Sequence, residues 1–125
     1  MPYNVLIMEV SKKVLIIEDN KLLADTLNYS AHLLKLDVYT SIGEIGYNEI
    51  KMLHPDLVII DYWLNEWGGN ICTKIKSNPI TNQTPVIMLV ASQKMGKAIK
   101  ENSANAYLSI PFNTNQLNTV IHQFI

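Results

Sequence analysis

One stretch decides the fold: Asp56-Leu57-Val58-Ile59-Ile60-Asp61, in which an unbroken apolar run ends in a carboxylate. Four consecutive apolar residues are typical of a strand that is buried on both faces between helices. The next segment, residues 62–69 (YWLNEWGG), is aromatic and contains two glycines, which indicates a loop. Asp61 is therefore predicted at the carboxyl end of a parallel strand, the edge of an open sheet where ligands bind.

The same pattern of an apolar strand followed by acids occurs earlier in the chain. Val14–Ile17 is apolar, Glu18 and Asp19 follow it, and Asn20 or Asp19 can cap the next helix. Other strands are predicted at Asp37–Thr40, Val86–Val90 and Ala106–Ser109, and helices at about 20–35, 44–53, 70–77, 94–102 and from residue 113 onward. This alternation predicts an α/β fold, a doubly wound five-stranded parallel sheet with helices on both faces.

Two of the predicted helix starts depend on capping patterns. Ser41 and Glu44 have the spacing of a capping box, which predicts that the second helix begins at Glu44. Asn113 and Gln116 have the same reciprocal spacing at the start of the last helix.

Composition excludes several classes of protein. The chain has 125 residues, 48% of them hydrophobic and 17% charged, with a net charge of −1, which fits one globular domain without a nucleic-acid-binding surface. The single Cys72 excludes an internal disulfide and fits a reducing, cytoplasmic compartment. The apolar segment Tyr3–Met8 is too short to span a membrane. Residues 1–12 are expected to be an N-terminal extension, and no function is assigned to residues 1–10.

The three acids are expected to share one pocket. Right-handed crossovers place the carboxyl ends of the first and third strands side by side, which brings Glu18, Asp19 and Asp61 together. Clustered carboxylates repel each other unless a cation lies among them, and oxygen ligands favour Mg²⁺. Asp61 could then act as a nucleophile on a phosphoryl group. The alternative is that these acids only cap the following helices; their pairing on neighbouring strands favours the cation site.

Four segments, taken together, resemble the receiver domain of two-component response regulators. They are Val14–Asn20 (VLIIEDN), Asp56–Leu64 (DLVIIDYWL) with Gly69 after it, Thr84–Leu89 (TPVIML), and Ala104–Phe112 with its Tyr107-Leu108 and Pro111-Phe112. The resemblance covers residues 13–125 and implies a flavodoxin-like domain that takes a phosphoryl group from a sensor histidine kinase or phosphotransfer protein. It implies that Asp61 is the phosphoacceptor and that Tyr107 is the aromatic switch residue. It also implies that Glu18, Asp19 and Asp61 hold Mg²⁺ with the backbone carbonyl of Trp63.

The chain departs from the family pattern at two positions. Val90 stands where the family has Thr or Ser, and Ile110 stands where it has Lys before the Pro-Phe pair. Loss of these two phosphoryl-contacting groups is expected to slow phosphorylation and to weaken its coupling to a change of shape. Ser92 and Lys94 lie close enough in sequence to compensate; the alternative is that both are solvated loop residues.

Two functions from different classes follow. The first is phosphorylation-dependent signalling through protein contacts of the fourth helix, fifth strand and fifth helix, a surface that could also form a homodimer. The second is a pseudo-receiver that docks or dimerises without phosphorylation. An enzyme with a substrate of its own is disfavoured, because no second general acid or base follows Asp61 at close spacing. Catalytic activity would then be limited to self-phosphorylation and self-dephosphorylation.

Overall fold

A five-stranded parallel sheet forms the centre of the molecule. The structure is a computed structural model and describes residues 11–63 and 68–125. The strands are β1 (Lys13–Ile17), β2 (Asp37–Ser41), β3 (Leu57–Asp61), β4 (Val86–Ala91) and β5 (Ala106–Ile110). The helices are α1 (Lys21–Leu33), α2 (Tyr47–Leu53), α3 (Gly68–Ser77), α4 (Met95–Glu101) and α5 (Thr114–His122). The strand order is β2-β1-β3-β4-β5, so the predicted doubly wound sheet is confirmed.

Helices cover both faces of the sheet, which explains why its central strands are continuously apolar. Side chains alternate along β1, so Leu15 and Ile17 join one core while Val14 and Ile16 join the other. The first core is closed by residues of α2, α3 and α4, and the second by residues of α1 and α5. In the described part of the chain, no helix is long and apolar enough to cross a membrane.

The strand register brings the ends of β1 and β3 together. Ile17 lies opposite Ile60, so the residues that follow these strands leave the sheet side by side. On the other side of β3, Asp61 lies opposite Leu89 of β4. β2 lies on one side of β1 and β3 lies on the other, so the strand order reverses direction at β1. The carboxyl ends of β1 and β3 are therefore the switch point at which open α/β sheets bind ligands.

The predicted start of the second helix is wrong. Ser41 is the last residue of β2, and its hydroxyl donates to the carbonyl of Gly43 at 3.2 Å instead of capping a helix. Helix α2 begins at Tyr47, with Gly46 as its N-cap and no side-chain capping bond. Pairing with β1 extends the strand to Ser41 and removes that residue from the helix start, an effect that local spacing does not reveal.

Smaller differences occur at other helix ends. Helix α1 ends at Leu33 rather than near Lys35, because Lys35 has the left-handed φ of 61° that terminates helices. Helix α3 begins at Gly68, two residues before the predicted start at Asn70. The capping box of the last helix is confirmed, since Asn113 and Gln116 each accept from the backbone N–H of the other, at 2.8 and 2.9 Å. Residues 1–10 of the predicted N-terminal extension lie outside the described residues.

Candidate functional site

Three carboxylates meet at the carboxyl edge of the sheet. Glu18 follows β1 directly, Asp19 comes next, and Asp61 ends β3. One oxygen from each of these side chains lies within 4.8 Å of the others. Glu18 is fully buried, Asp61 is half-buried and Asp19 is exposed, so the cluster extends from the protein interior to solvent. The predicted proximity of these three side chains is therefore found in the structure.

Glu18 is the most strongly perturbed acid of the cluster. Its Oε2 accepts from the backbone N–H of Asn20 at 3.2 Å, while its Oε1 is buried without a hydrogen-bond partner among the described residues. Burial, reinforced by the neighbouring Asp61, raises the pKa of Glu18 from 4.5 to about 8. A buried, unpartnered carboxylate oxygen beside two further acids is the donor set that a hard divalent cation satisfies. These residues therefore fit Mg²⁺.

Asp61 is oriented by the loop that follows it. Its Oδ1 accepts from the backbone N–H of Trp63 at 2.8 Å, a local Asx contact that fixes the plane of the carboxylate. The backbone N–H of Tyr62 continues the sheet by donating to the carbonyl of Leu89 at 2.9 Å. The Asp61 side chain is thus held between the end of the sheet and its own loop.

The aromatic residues after Asp61 have different environments. Tyr62 is buried, and its hydroxyl donates to Oε1 of Glu101 at 2.8 Å. Trp63 is 51% exposed, which makes it suitable as a reporter of the site. Trp67 lies outside the described residues.

The acids open into a surface cleft of about 700 Å³. Its walls are Glu18, Asp19, Asn20, Leu23, Asp61, Trp63 and Ile110. The Asn20 side chain caps α1 by accepting from the N–H of Leu23 at 3.0 Å, so this residue rather than Asp19 is the helix cap. Asp19 thereby keeps its carboxylate for the cleft.

The two departures from the family pattern give the site apolar walls. Val90 is 1% exposed and packs in the core beneath α3 and α4. Ile110 is half-buried and lines the cleft beside Asp61. Neither side chain carries a hydrogen-bond donor, so neither can make a polar side-chain contact with a ligand.

The two residues predicted as replacements are placed differently. The Ser92 hydroxyl lies 2.7 Å from the Ser109 hydroxyl of β5, and Ser92 is not among the residues that line the cleft. The Lys94 ammonium lies 5.0 Å from the ring centroid of Trp63 and lines a smaller cavity together with Asp61. The structure therefore brings Lys94 to the site and directs Ser92 elsewhere.

Tyr107 lies half-buried on β5, against the core beneath α3 and α4. Its hydroxyl donates to the carbonyl of Asn102 and accepts from the N–H of Ala104 at 3.3 Å. The ring is thereby tied to the loop between α4 and β5. Its role as a switch residue stays a prediction.

One residue that shapes the site was not singled out from the sequence. A Cβ added at Gly68 would lie 1.8 Å from the backbone carbonyl oxygen of Asp61, so the start of α3 touches the acid's own backbone. The pair Gly68-Gly69 in the loop was the available signal, and only Gly69 was included in the motif.

The raised pKa of Glu18 predicts how the metal-free protein responds to pH. The folded state keeps a proton that the unfolded chain releases near pH 4.5, so this contribution to stability is complete at low pH and is lost as pH rises through about 8. We expect the free energy of unfolding, measured with urea in the presence of a chelator, to fall by about 3–5 kcal/mol between about pH 5 and pH 9. Glu18→Gln should flatten this dependence and Asp25→Asn should not; an equal slope in Glu18→Gln would contradict the assignment.

A cluster of acids at the switch point of a five-stranded parallel sheet, with an oriented Asp at the end of the third strand, places this chain in the class of α/β domains with an acidic binding site. Residues 14–122 match the response regulator receiver domain family. The chain belongs to this family, whose members act in two-component systems.

Relatives and solved structures agree with this assignment. The chain is 28% identical over 109 residues to the phosphate regulon transcriptional regulatory protein PhoB of Rhizobium meliloti (84% of this chain, 48% of PhoB). It is 26% identical over 113 residues to the alkaline phosphatase synthesis transcriptional regulatory protein PhoP of Bacillus subtilis (87% of this chain, 46% of PhoP). The chain thus spans about half the length of the curated relatives it matches.

Two solved structures show the same fold. One is the receiver domain of the sensor histidine kinase PA1611 from Pseudomonas aeruginosa, which has a magnesium ion coordinated in its active-site cleft. It matches with a TM-score of 0.81 and 18% identity, over 92% of this chain and 98% of that domain. The chemotaxis protein CheY4 of Vibrio cholerae matches with a TM-score of 0.80 and 19% identity over 93% of this chain and its entire chain.

Proposed function

We propose that this receiver domain accepts a phosphoryl group on Asp61 from a histidine kinase or phosphotransfer partner, with Mg²⁺, and thereby switches its protein contacts. One observation carries the proposal. The carboxylate of Asp61, with one oxygen held by the N–H of Trp63, lies beside the buried Oε1 of Glu18, which has no hydrogen-bond partner within the described chain. This arrangement suits a cation and a phosphoryl group better than it suits a role in helix capping.

The chemistry requires one nucleophile. An oxygen of Asp61 attacks the phosphorus, the bond between phosphorus and the donor's imidazole nitrogen breaks, and the electron pair of that bond stays with the nitrogen. The product is an acyl phosphate. Glu18, Asp19, Asp61 and the backbone carbonyl of Trp63 would hold Mg²⁺, which when bound screens the negative charges of the carboxylates and the phosphoryl oxygens. The N–H groups of Asn20 and Trp63 keep Glu18 and Asp61 oriented.

A second function is favoured by the apolar walls of the site. With Val90 buried and Ile110 in the cleft, the two contacts that the family pattern places there are missing. Loss of one preorganised donor typically costs about 3 kcal/mol of transition-state stabilisation. The alternative function is therefore a pseudo-receiver, a docking or dimerisation module whose contacts do not depend on phosphorylation.

We infer the signalling surface from the position of Tyr107. Its hydroxyl connects β5 to the loop after α4, and both border the face formed by α4, β5 and α5. That face is the proposed contact for an output partner or a second copy of the chain. We place the protein in the cytoplasm with its kinase and assign this domain no direct nucleic-acid contact.

Beryllofluoride binding tests the proposal, with Trp63 as the reporter in a Trp67→Phe background. Trp63 lines the cleft and is 51% exposed, so its emission should respond to a ligand on Asp61. We expect saturable quenching that requires both beryllofluoride and Mg²⁺. A folded protein that gives no response would contradict phosphoryl acceptance and favour the docking module.

A further inference from the structure

Lys94 is connected to Asp61 through a single residue. It is the last residue of a short 3₁₀ turn, Ser92–Lys94, that precedes α4. Its ammonium lies 5.0 Å from the ring centroid of Trp63, within the range of a cation–π contact. The backbone N–H of the same Trp63 donates to Oδ1 of Asp61 at 2.8 Å. Trp63 therefore contacts the acid with its backbone and the ammonium with its ring.

Lys94 and Asp61 also line one cavity. This cavity has a volume of about 250 Å³, and Trp63, Val90 and Ile110 are among its other walls. The side chains of Val90 and Ile110 contribute only hydrocarbon to it, and charges interact more strongly beside apolar walls than in bulk water. Among the described residues that line the cavity, Lys94 is the one cation.

No acid of the described chain neutralises Lys94. The one salt bridge within residues 11–63 and 68–125 joins Lys21 to Asp25 at 3.0 Å, on the exposed surface of α1. The Lys94 ammonium is thus held by an aromatic ring at the margin of an anionic site. A flexible four-carbon stem would allow it to move from the ring toward an anion on Asp61.

We propose that Lys94 supplies the cation that contacts the phosphoryl oxygens on Asp61, and that Trp63 positions its ammonium beside the cavity. This inference rests on the proposed function, because it concerns the phosphoryl group that Asp61 would carry. The cation then comes from the turn after β4 instead of from the position of Ile110 at the end of β5.

Three variants test this role in the Trp67→Phe background: Lys94→Met, Lys94→Arg and the control Lys100→Met, which removes an exposed charge from the same region. We expect Lys94→Met to bind beryllofluoride on the order of tenfold more weakly, less than the 10²–10³ typical of a rigid donor because the lysine is flexible. Lys94→Arg should retain most of the affinity, and Lys100→Met should bind as the parent does.

The affinity for Mg²⁺ in the absence of beryllofluoride distinguishes a direct contact between Lys94 and the anion from a merely structural role of Lys94. Removing a positive charge near the acids should leave Mg²⁺ affinity unchanged or increase it, whereas a distorted loop would weaken both Mg²⁺ and beryllofluoride binding. The metal-free protein gives a further readout, because loss of the ammonium from the ring should shift the emission of Trp63. Lys94→Gln is the second variant should Lys94→Met fail to fold.

The outcomes distinguish this inference from the function on which it rests. If the parent protein responds to beryllofluoride and Lys94→Met responds equally, the role of Lys94 is overturned while the phosphoacceptor function stands. Parallel weakening of Mg²⁺ and beryllofluoride binding would also overturn it. If the parent protein gives no response, both proposals fail.

Discussion

Replacement of Asp61 by Asn is expected to abolish the uptake of a phosphoryl group from acetyl phosphate in the presence of Mg²⁺. An amide lacks the charged oxygen that attacks phosphorus, and it removes one of the three acids whose oxygens lie within 4.8 Å of each other. We expect the mass of the intact parent protein to increase by one phosphoryl group, and the mass of the variant to stay unchanged. The fold should survive, since Asp61 is only half-buried at the end of β3 and an amide has nearly the same shape as a carboxylate.

Asp25→Asn is the matched control for this experiment. It makes the same change of acid to amide on α1, where Asp25 is exposed and pairs with Lys21 at 3.0 Å. The control should gain the phosphoryl group as the parent protein does. Uptake by Asp61→Asn at the parent rate would show that another residue is the acceptor and would contradict the assignment of Asp61.

The position of the acids was predictable from sequence because it depends on topology. Continuous apolar runs at Val14–Ile17 and Leu57–Ile60 indicated buried parallel strands, and the switch-point rule placed the residues after them side by side. The structure agrees, with Ile17 opposite Ile60 in the register. A strand that is buried on both faces needs a continuous apolar run of its own, so it can be predicted from that segment alone.

Features that depend on contacts between distant segments were less predictable. Ser41 has the local spacing of a helix cap, yet strand pairing with β1 takes it into the sheet. Lys94 was within reach of the site by sequence distance, but its contact with the Trp63 ring depends on how the turn after β4 packs against the loop after β3. Among residues 11–63 and 68–125, Oε1 of Glu18 has no hydrogen-bond partner, and this likewise follows from complete burial, which only the assembled fold determines.

The close approach of the start of α3 to the end of β3 gives the second large prediction, for Gly68→Ala. A Cβ at this position would lie 1.8 Å from the carbonyl oxygen of Asp61 and 2.9 Å from its carbonyl carbon, so either the start of α3 or the end of β3 must move. We expect the free energy of unfolding, measured with urea, to fall by about 2–3 kcal/mol. Because the displaced backbone carries Asp61, beryllofluoride affinity should fall as well.

Gly96→Ala provides the control, because Gly96 is also a helical glycine and a Cβ there would meet nothing within 4 Å. This substitution should be neutral or should stabilise the protein by about 0.5–1 kcal/mol, as alanine favours a helix over glycine. A Gly68→Ala protein as stable as Gly96→Ala would show that α3 does not press against Asp61. Loss of stability and of beryllofluoride affinity confined to Gly68→Ala would instead show that the start of α3 holds the backbone of the acid in place.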